Sequence, residues 1–296
     1  MPRTLAAVLA ASVLALVWLA APPASAAGTW APASTATIHP GVQTHTDGAQ
    51  CTANFVFTDG TDTYLGQAAH CSGLGASTDT NGCTTPTLPL GTPVEVTGAD
   101  HPGTLAYSSW NAMQAAGETD PDACAYNDLA LIRLDPADVG KVNPSIPHWG
   151  GPTGLNTDGT TSGEPVYSYG NSSLRLGITV LSPKVGTSSG TSGGGWTHTV
   201  NTITPGIPGD SGSAFLDADG QALGVLSTLG VGVPDGVVNN VSDLNRALAY
   251  LRSHATGSLA QVQLALGTEA FDGGQLPIGS PSGSDPVGSL TGLLGR

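Results

Sequence analysis

The chain has 296 residues, enough for one two-barrel domain or two ordinary ones, and carries a formal charge of −14 with only eight Lys plus Arg. So few cations exclude a nucleic-acid partner, because binding phosphates needs clustered basic side chains. Charged residues make up 10% while Gly numbers 42 and Pro 22, a mixture that predicts many short strands and turns rather than long helices.

At the N-terminus a single early cation, Arg3, precedes an apolar run from Leu5 to Ala20, then Pro22, Pro23 and Ala24-Ser25-Ala26. This pattern describes a secretory signal peptide over residues 1–26, cleaved after Ala26 or Ala27, with an uncleaved anchor as the other reading. No later segment is long and apolar enough to cross a bilayer. The mature chain is therefore expected outside the cell and free of the membrane, where its acidity serves solubility.

Residues 27–37 read as an extended leader. Strands are expected at 54–57 and 63–65 around an Asp59-Gly60 turn, then at 92–96, 129–134, 164–168, 176–181, 196–203, 213–216 and 222–227. Turn signals separate them at Asp158-Gly159, Gly170-Asn171, 188–195 and 217–220. Strands this short and this evenly spaced indicate an all-β sandwich or barrel. One helix is expected near residue 244: Ser242 can cap it, and Leu244, Ala247, Leu248 and Leu251 recur at helical spacing. Beyond it, residues 257–296 form a Gly/Ser/Pro-rich tail. Within that tail, 259–266 could still make a strand or a helical turn, and the chain from Asp272 on reads as flexible. The four cysteines, Cys51, Cys71, Cys83 and Cys124, suggest two disulfides in an exported chain and leave three pairings open. Neither CxxC nor a Cys/His cluster at zinc-ligand spacing is present, so no metal site is expected.

Three segments carry chemistry. Gly209-Asp210-Ser211-Gly212-Ser213 offers a serine flanked by glycines that let the backbone bend and bring its amides close to a substrate. The amides of Gly209 and Ser211 are the candidate donors to a developing oxyanion. A serine hydroxyl is a poor nucleophile and needs a histidine to take its proton and a carboxylate to orient that histidine. His70 stands among small residues beside Cys71, a setting that His39, His45, His101, His148, His198 and His254 lack. Asp128 opens the apolar run Leu129-Ala130-Leu131-Ile132, where a buried carboxylate would need a partner such as an imidazole N–H. The rival Asp122 lies in a turn-like Asp-Pro-Asp context, and Ser213 reads as structural. The chain order His, Asp, Ser is not that of the α/β-hydrolases.

Order and flanks together resemble the chymotrypsin-like (trypsin-fold) serine proteases, in particular their secreted bacterial branch, over residues 38–254. The resemblance implies two six-stranded antiparallel β-barrels packed against each other, a C-terminal helix, and a catalytic unit over residues 27–256 with its site in the crevice between barrels. It implies a monomeric secreted endopeptidase acting on protein or peptide substrates without a cofactor, with His70, Asp128 and Ser211 as the triad. It also implies the disulfide Cys51–Cys71, and with it Cys83–Cys124. In this family the aspartate before the serine needs a cation; no activated N-terminus of the animal type is visible, so Arg175 is the first candidate and Arg133 the second. The resemblance puts Pro205 at the floor of the primary specificity pocket and Ser227-Thr228-Leu229 along its wall. With no acid at the floor and Leu229 narrowing the entrance, the expectation is cleavage after small or medium apolar residues. Two rivals remain: a protease-like binding protein without turnover, and an esterase on the same scaffold.

Overall fold

The computed structural model describes residues 30–232 and 236–274. The expected signal peptide and the end of the expected tail, residues 275–296, lie outside the described residues.

The first half contains β1 (Gln43–Thr46), β2 (Ala49–Thr52), β3 (Val56–Thr58), β4 (Thr63–Gln67), β5 (Pro93–Val96), β6 (Gly103–Ser108) and β7 (Ala130–Arg133). Together with β14 (Gln263–Leu264) they form an eight-stranded sheet in the order β14-β3-β4-β7-β6-β5-β1-β2. Although β2 and β3 lie toward opposite ends of that order, only the three residues 53–55 separate them. At this bend Ala53 pairs with Gly41 and Val42 on one side, while Asn54 and Phe55 pair with Gly66 on the other. Counted as one bent strand, β2 and β3 wrap the sheet into a six-stranded barrel, with β14 added beside β3.

The second half holds β8 (Pro165–Tyr169), β9 (Pro183–Ser192), β10 (Thr197–Ile203), β11 (Ala214–Leu216), β12 (Ala222–Gly232) and β13 (Gly236–Asp243), which close a barrel in the order β10-β13-β12-β11-β8-β9. The all-β architecture with a C-terminal helix is thus as expected. One apolar cluster runs from Phe57 and Leu131 in the first half through Trp149 to Leu216 and Leu248 in the second, so the two halves share buried surface.

Among the described residues three α-helices form rather than one. α1 (Ser109–Ala116) and α2 (Pro121–Tyr126) have eight and six residues, too short to display a helical period in sequence. In α2 Asp120 accepts the amides of Asp122 and Ala123, and Pro121 occupies the first turn, where its missing N–H costs nothing. α3 (Leu244–His254) buries Leu244, Ala247, Leu248 and Leu251 as the spacing predicts. Its cap is Asp243, which accepts the amide of Arg246 at 2.7 Å, and not Ser242, whose hydroxyl instead accepts the amide of Asp128 at 3.3 Å.

Two local expectations are corrected. Residues 176–181 are not a strand: they follow a 3-10 turn and enter another at Thr179–Leu181, with Leu176 in the left-handed region (φ 52°) and solvent-exposed. Conversely, of the expected turn 188–195 only Gly193–Gly195 turn, as a 3-10 turn, while residues 188–192 are the second half of β9 and pair with β10. Pairing with that neighbour overrides the weak strand preference of those residues. After α3 the described chain stays on the body as far as Gly274. A 3-10 turn covers Gly257–Gln261, β14 pairs with β3, the amide of Asp272 donates to Trp149 O at 2.8 Å, and the Phe271 ring packs edge-on against Tyr167.

Candidate active site

His70 sits in the 3-10 turn Ala69–Ser72 that follows β4, and Asp128 lies two residues before β7, the strand paired with β4. Strand pairing therefore brings together two residues 58 apart in sequence. The carboxylate of Asp128, almost wholly buried, holds the histidine twice: Oδ1 accepts the His70 amide at 2.8 Å, and Oδ2 accepts Nδ1–H at 2.7 Å. A carboxylate can only accept, so Nδ1 carries the proton and Nε2 keeps its lone pair when the ring is neutral. Burial by itself would lower the pKa of this imidazole, but the charge of Asp128 and the hydrogen bond to it prevail and raise it above the ordinary histidine value.

Two serines from the second half complete the hold. Ser227 on β12 donates its hydroxyl to Asp128 Oδ2 at 2.6 Å, and Ser242 on β13 accepts the Asp128 amide. The sequence reading placed Ser227 in the pocket wall; it does line the cleft, and its hydroxyl also serves the carboxylate. No sequence signal marks that second role, because it depends on β12 passing beside a loop of the other half. Both disulfides form, Cys51–Cys71 with Cα atoms 6.2 Å apart and Cys83–Cys124 with 5.1 Å. Cys51 and Cys71 lie within ligand distance of the His70 ring, but their sulfurs are consumed by the bond between them, which leaves no thiolate to hold a metal.

Ser211 lies on the loop before β11 and lines, with His70, a cleft of about 660 Å³ that extends over Gly73–Thr80 and Trp110 on one side and Ile207, Pro208, Leu226 and Leu229 on the other. Among the described residues the hydrogen bonds of the imidazole and of the Asp128 carboxylate are those named above, and the Ser211 hydroxyl is not one of the partners. Such contacts commonly tighten only when substrate binds. The loop itself docks on the histidine-bearing half. The amide of Thr52 donates to Ser211 O at 2.8 Å, while Gly209 O accepts from Thr52 Oγ1 at 2.8 Å and Gln50 Nε2 at 2.9 Å. The approach requires glycine at Gly212, where φ is 88° and a side chain would begin 2.5 Å from Thr52 O.

Two carbonyls in this loop are tied back. Pro208 O accepts the Ser172 hydroxyl at 2.5 Å, and Asp210 O accepts the amide of Ser213 at 3.0 Å and its hydroxyl as well. In a trans peptide the N–H points opposite to the C=O. The amides of Gly209 and Ser211 are therefore turned away from these anchors, and neither has an acceptor among the described residues. Ser213, fully buried, is an anchor and not a second nucleophile.

Asp210, also fully buried, is held by Arg175, whose Nη2 lies 2.5 Å from Oδ2, as the first candidate cation. Arg133 is instead at the surface, 3.8 Å from Asp62. A second cation was not foreseen: Lys184 Nζ lies 3.1 Å from the same Oδ2. Pro205 is exposed and does not line the cleft. The segment just after it does, and there the ends of Leu226 and Leu229 close over Gly206, where an added Cβ would stand 3.0 Å from each. Two further histidines meet carboxylates, His101 with Asp138 at 3.2 Å and His198 with Asp243 at 3.0 Å. Neither lines the cleft, and His198 is sealed from solvent.

No family model and no curated protein matches the sequence. Among solved structures the chain is similar to protease A of Thermobifida fusca, with TM-score 0.48 and 18% identity over 78% of this chain and 99% of that one. It is similar to a Nocardiopsis protease, with TM-score 0.46 and 19% identity over 77% and 98%. It is similar also to a chymotrypsin of Cellulomonas bogoriensis, with TM-score 0.44 and 19% identity over 72% and 94%. The likeness to chymotrypsin-like bacterial serine proteases is thus met again among solved structures, at a level that leaves every residue assignment to the geometry of the cleft.

Proposed function

We propose that this chain is a secreted serine endopeptidase, made as a precursor whose residues 1–26 are removed. The observation that carries the reading is the Asp128–His70 couple sharing one cleft with Ser211 and with two unpartnered amides. Ser211 Oγ attacks the scissile carbonyl carbon as His70 Nε2 takes the hydroxyl proton. The amides of Gly209 and Ser211 bind the oxyanion, each worth roughly 10²–10³ in rate. The imidazolium then gives its proton to the leaving amine. Water, activated by the same nitrogen, hydrolyses the acyl-enzyme and restores Ser211. Leu226 and Leu229, whose ends lie against Gly206, make this wall of the cleft apolar, which supports cleavage after small or medium apolar residues.

The reading is tested by treating the protein with a fluorophosphonate and mapping the adduct by mass spectrometry, followed by a peptide series varied at the cleaved residue. Labelling at Ser211 that disappears in His70→Ala, with cleavage faster after Ala or Val than after Arg, is the expected result. Absence of labelling would favour a binding protein without turnover, and hydrolysis of esters with no action on amides would favour an esterase.

A further inference from the structure

Beneath the nucleophile loop lie one carboxylate and two cations: Asp210, Arg175 and Lys184, with side chains 0%, 6% and 0% exposed. Arg175 by itself balances the charge of Asp210. The ammonium of Lys184 is therefore surplus to pairing, in a place where surplus charge is costly. What it adds is reach. Lys184 Nζ pairs with Asp210 Oδ2 at 3.1 Å and donates to Pro205 O at 3.2 Å and to Thr204 O and Oγ1 at 3.4 and 3.5 Å. An ammonium has three N–H donors, which these four oxygens share. Three of those oxygens belong to the segment that leads into Gly206, Ile207 and Pro208, the last two of which line the cleft. The amide of Gly206 is held by Asn239 and that of Ile207 by Asp210 Oδ2 at 3.2 Å, so this wall hangs from the same buried cluster.

Resting on the protease reading above, we propose that Lys184 is a positioning residue: its three ammonium hydrogens clamp the Thr204–Pro205 entry of the loop onto Asp210, and the substrate-binding wall at Ile207–Gly209 keeps its shape only while the clamp is protonated. A neutral amine has two hydrogens and a lone pair, so on deprotonation the four oxygens share two hydrogens, the pairing with Asp210 ends, and the hold on the Thr204 and Pro205 carbonyls loosens. Arg175 cannot replace it, since its guanidinium stays charged but does not reach the two carbonyls. Burial, and then the charge of Arg175, lower the pKa of Lys184, while Asp210 opposes them. Asp210 and Arg175 are the charged groups against the amine. Of the neighbouring strands, β8 brings Ser168 opposite Lys184 and adds the tyrosines Tyr167 and Tyr169, and β10 carries only His198, which is engaged with Asp243. Burial raises the phenol of Tyr169, so that group ionises above the range of interest.

The sign of the linkage separates this effect from unfolding. Because folding lowers the pKa of Lys184, the folded protein releases the proton before the unfolded chain does. Between those two pKa values its contribution to stability grows with pH. Substrate affinity is therefore lost without a fall in Tm.

The experiment is a pH series on peptide hydrolysis by the wild type, Lys184→Arg and Lys184→Met, paired with NMR of the Gly206 and Ile207 amides, which needs no turnover. In the wild type KM is expected to rise about tenfold per pH unit, at little change in kcat, from a pH below the ordinary lysine value of about 10.4. The two amide shifts should move with the same midpoint. In Lys184→Arg the limb and the shift change vanish, and Lys184→Met carries the high KM already at neutral pH. A limb unchanged in Lys184→Arg, a limb confined to kcat, or amide shifts that titrate alike in both proteins would overturn the proposal. Should the methionine variant fail to fold, the arginine variant decides. A protein that hydrolyses nothing at neutral pH while the amides titrate as expected would fail the protease reading and leave the clamp standing.

Discussion

The two halves of the molecule immobilise their parts of the cleft by different means. The first half holds both disulfides, and one of them, Cys51–Cys71, lies against the imidazole of His70. The second half contains no cysteine and closes its barrel fully. It steadies the Ser211 loop with buried charge, Arg175 and Lys184 on Asp210. A covalent link acts mainly by restricting the unfolded chain and is indifferent to pH. A buried ion pair acts in the folded state and fails as soon as one partner is removed, because the other is left charged and unsolvated. The histidine side should therefore respond to reduction and the serine side to single charge changes.

The contrast can be broken most severely where the halves meet. Asp128→Asn keeps the shape of the side chain but offers Nδ1 the wrong partner, so kcat on an amide substrate should fall by about 10⁴ with the fold intact. A loss below tenfold, measured on protein of normal Tm, would remove Asp128 from the couple. Next comes Arg175→Ala, which leaves Asp210 with Lys184 alone. Loosening of the Gly209–Ser211 amides should cost roughly 10²–10³ in kcat, and thermal unfolding should register a loss of about 1.5–3 kcal/mol, since Lys184 still neutralises Asp210 and the guanidinium hydrogen bonds are what is lost. A variant with full activity would mean that the pair serves stability only. Smallest in its effect on rate is the Cys83→Ser, Cys124→Ser pair. This bond closes a long loop, 41 residues apart, at a distance from the imidazole. It should cost about 2–4 kcal/mol in stability with kcat nearly unchanged. If kcat falls as steeply as stability, the disulfides are not the local, half-specific supports described here.

Much of the site was legible because its residues carry their context beside them. His70 has its cysteine and small neighbours, Asp128 opens an apolar strand, and Ser211 has glycines that the docking on Thr52 requires. α3 was legible for a similar reason, since its period is written in consecutive residues. The misreadings fall where context is remote. The aliphatic run 176–181 looks like a strand, yet Arg175 is drawn inward to Asp210 and the residues after it turn outward. The end of β9, residues 188–192, looks like a turn until β10 lies beside it.

The order of the three catalytic candidates, the all-β class and the C-terminal helix follow from the chain alone, because each rests on short-range pattern, whereas the two barrels were implied only by the resemblance. Tertiary structure alone decided that Ser227 donates to Asp128, that Lys184 joins Arg175 on one carboxylate, and that Leu226 and Leu229 close over Gly206. Those contacts join segments whose proximity is set by barrel closure, and a buried hydrogen bond between distant strands leaves no mark on the residues next to it in sequence.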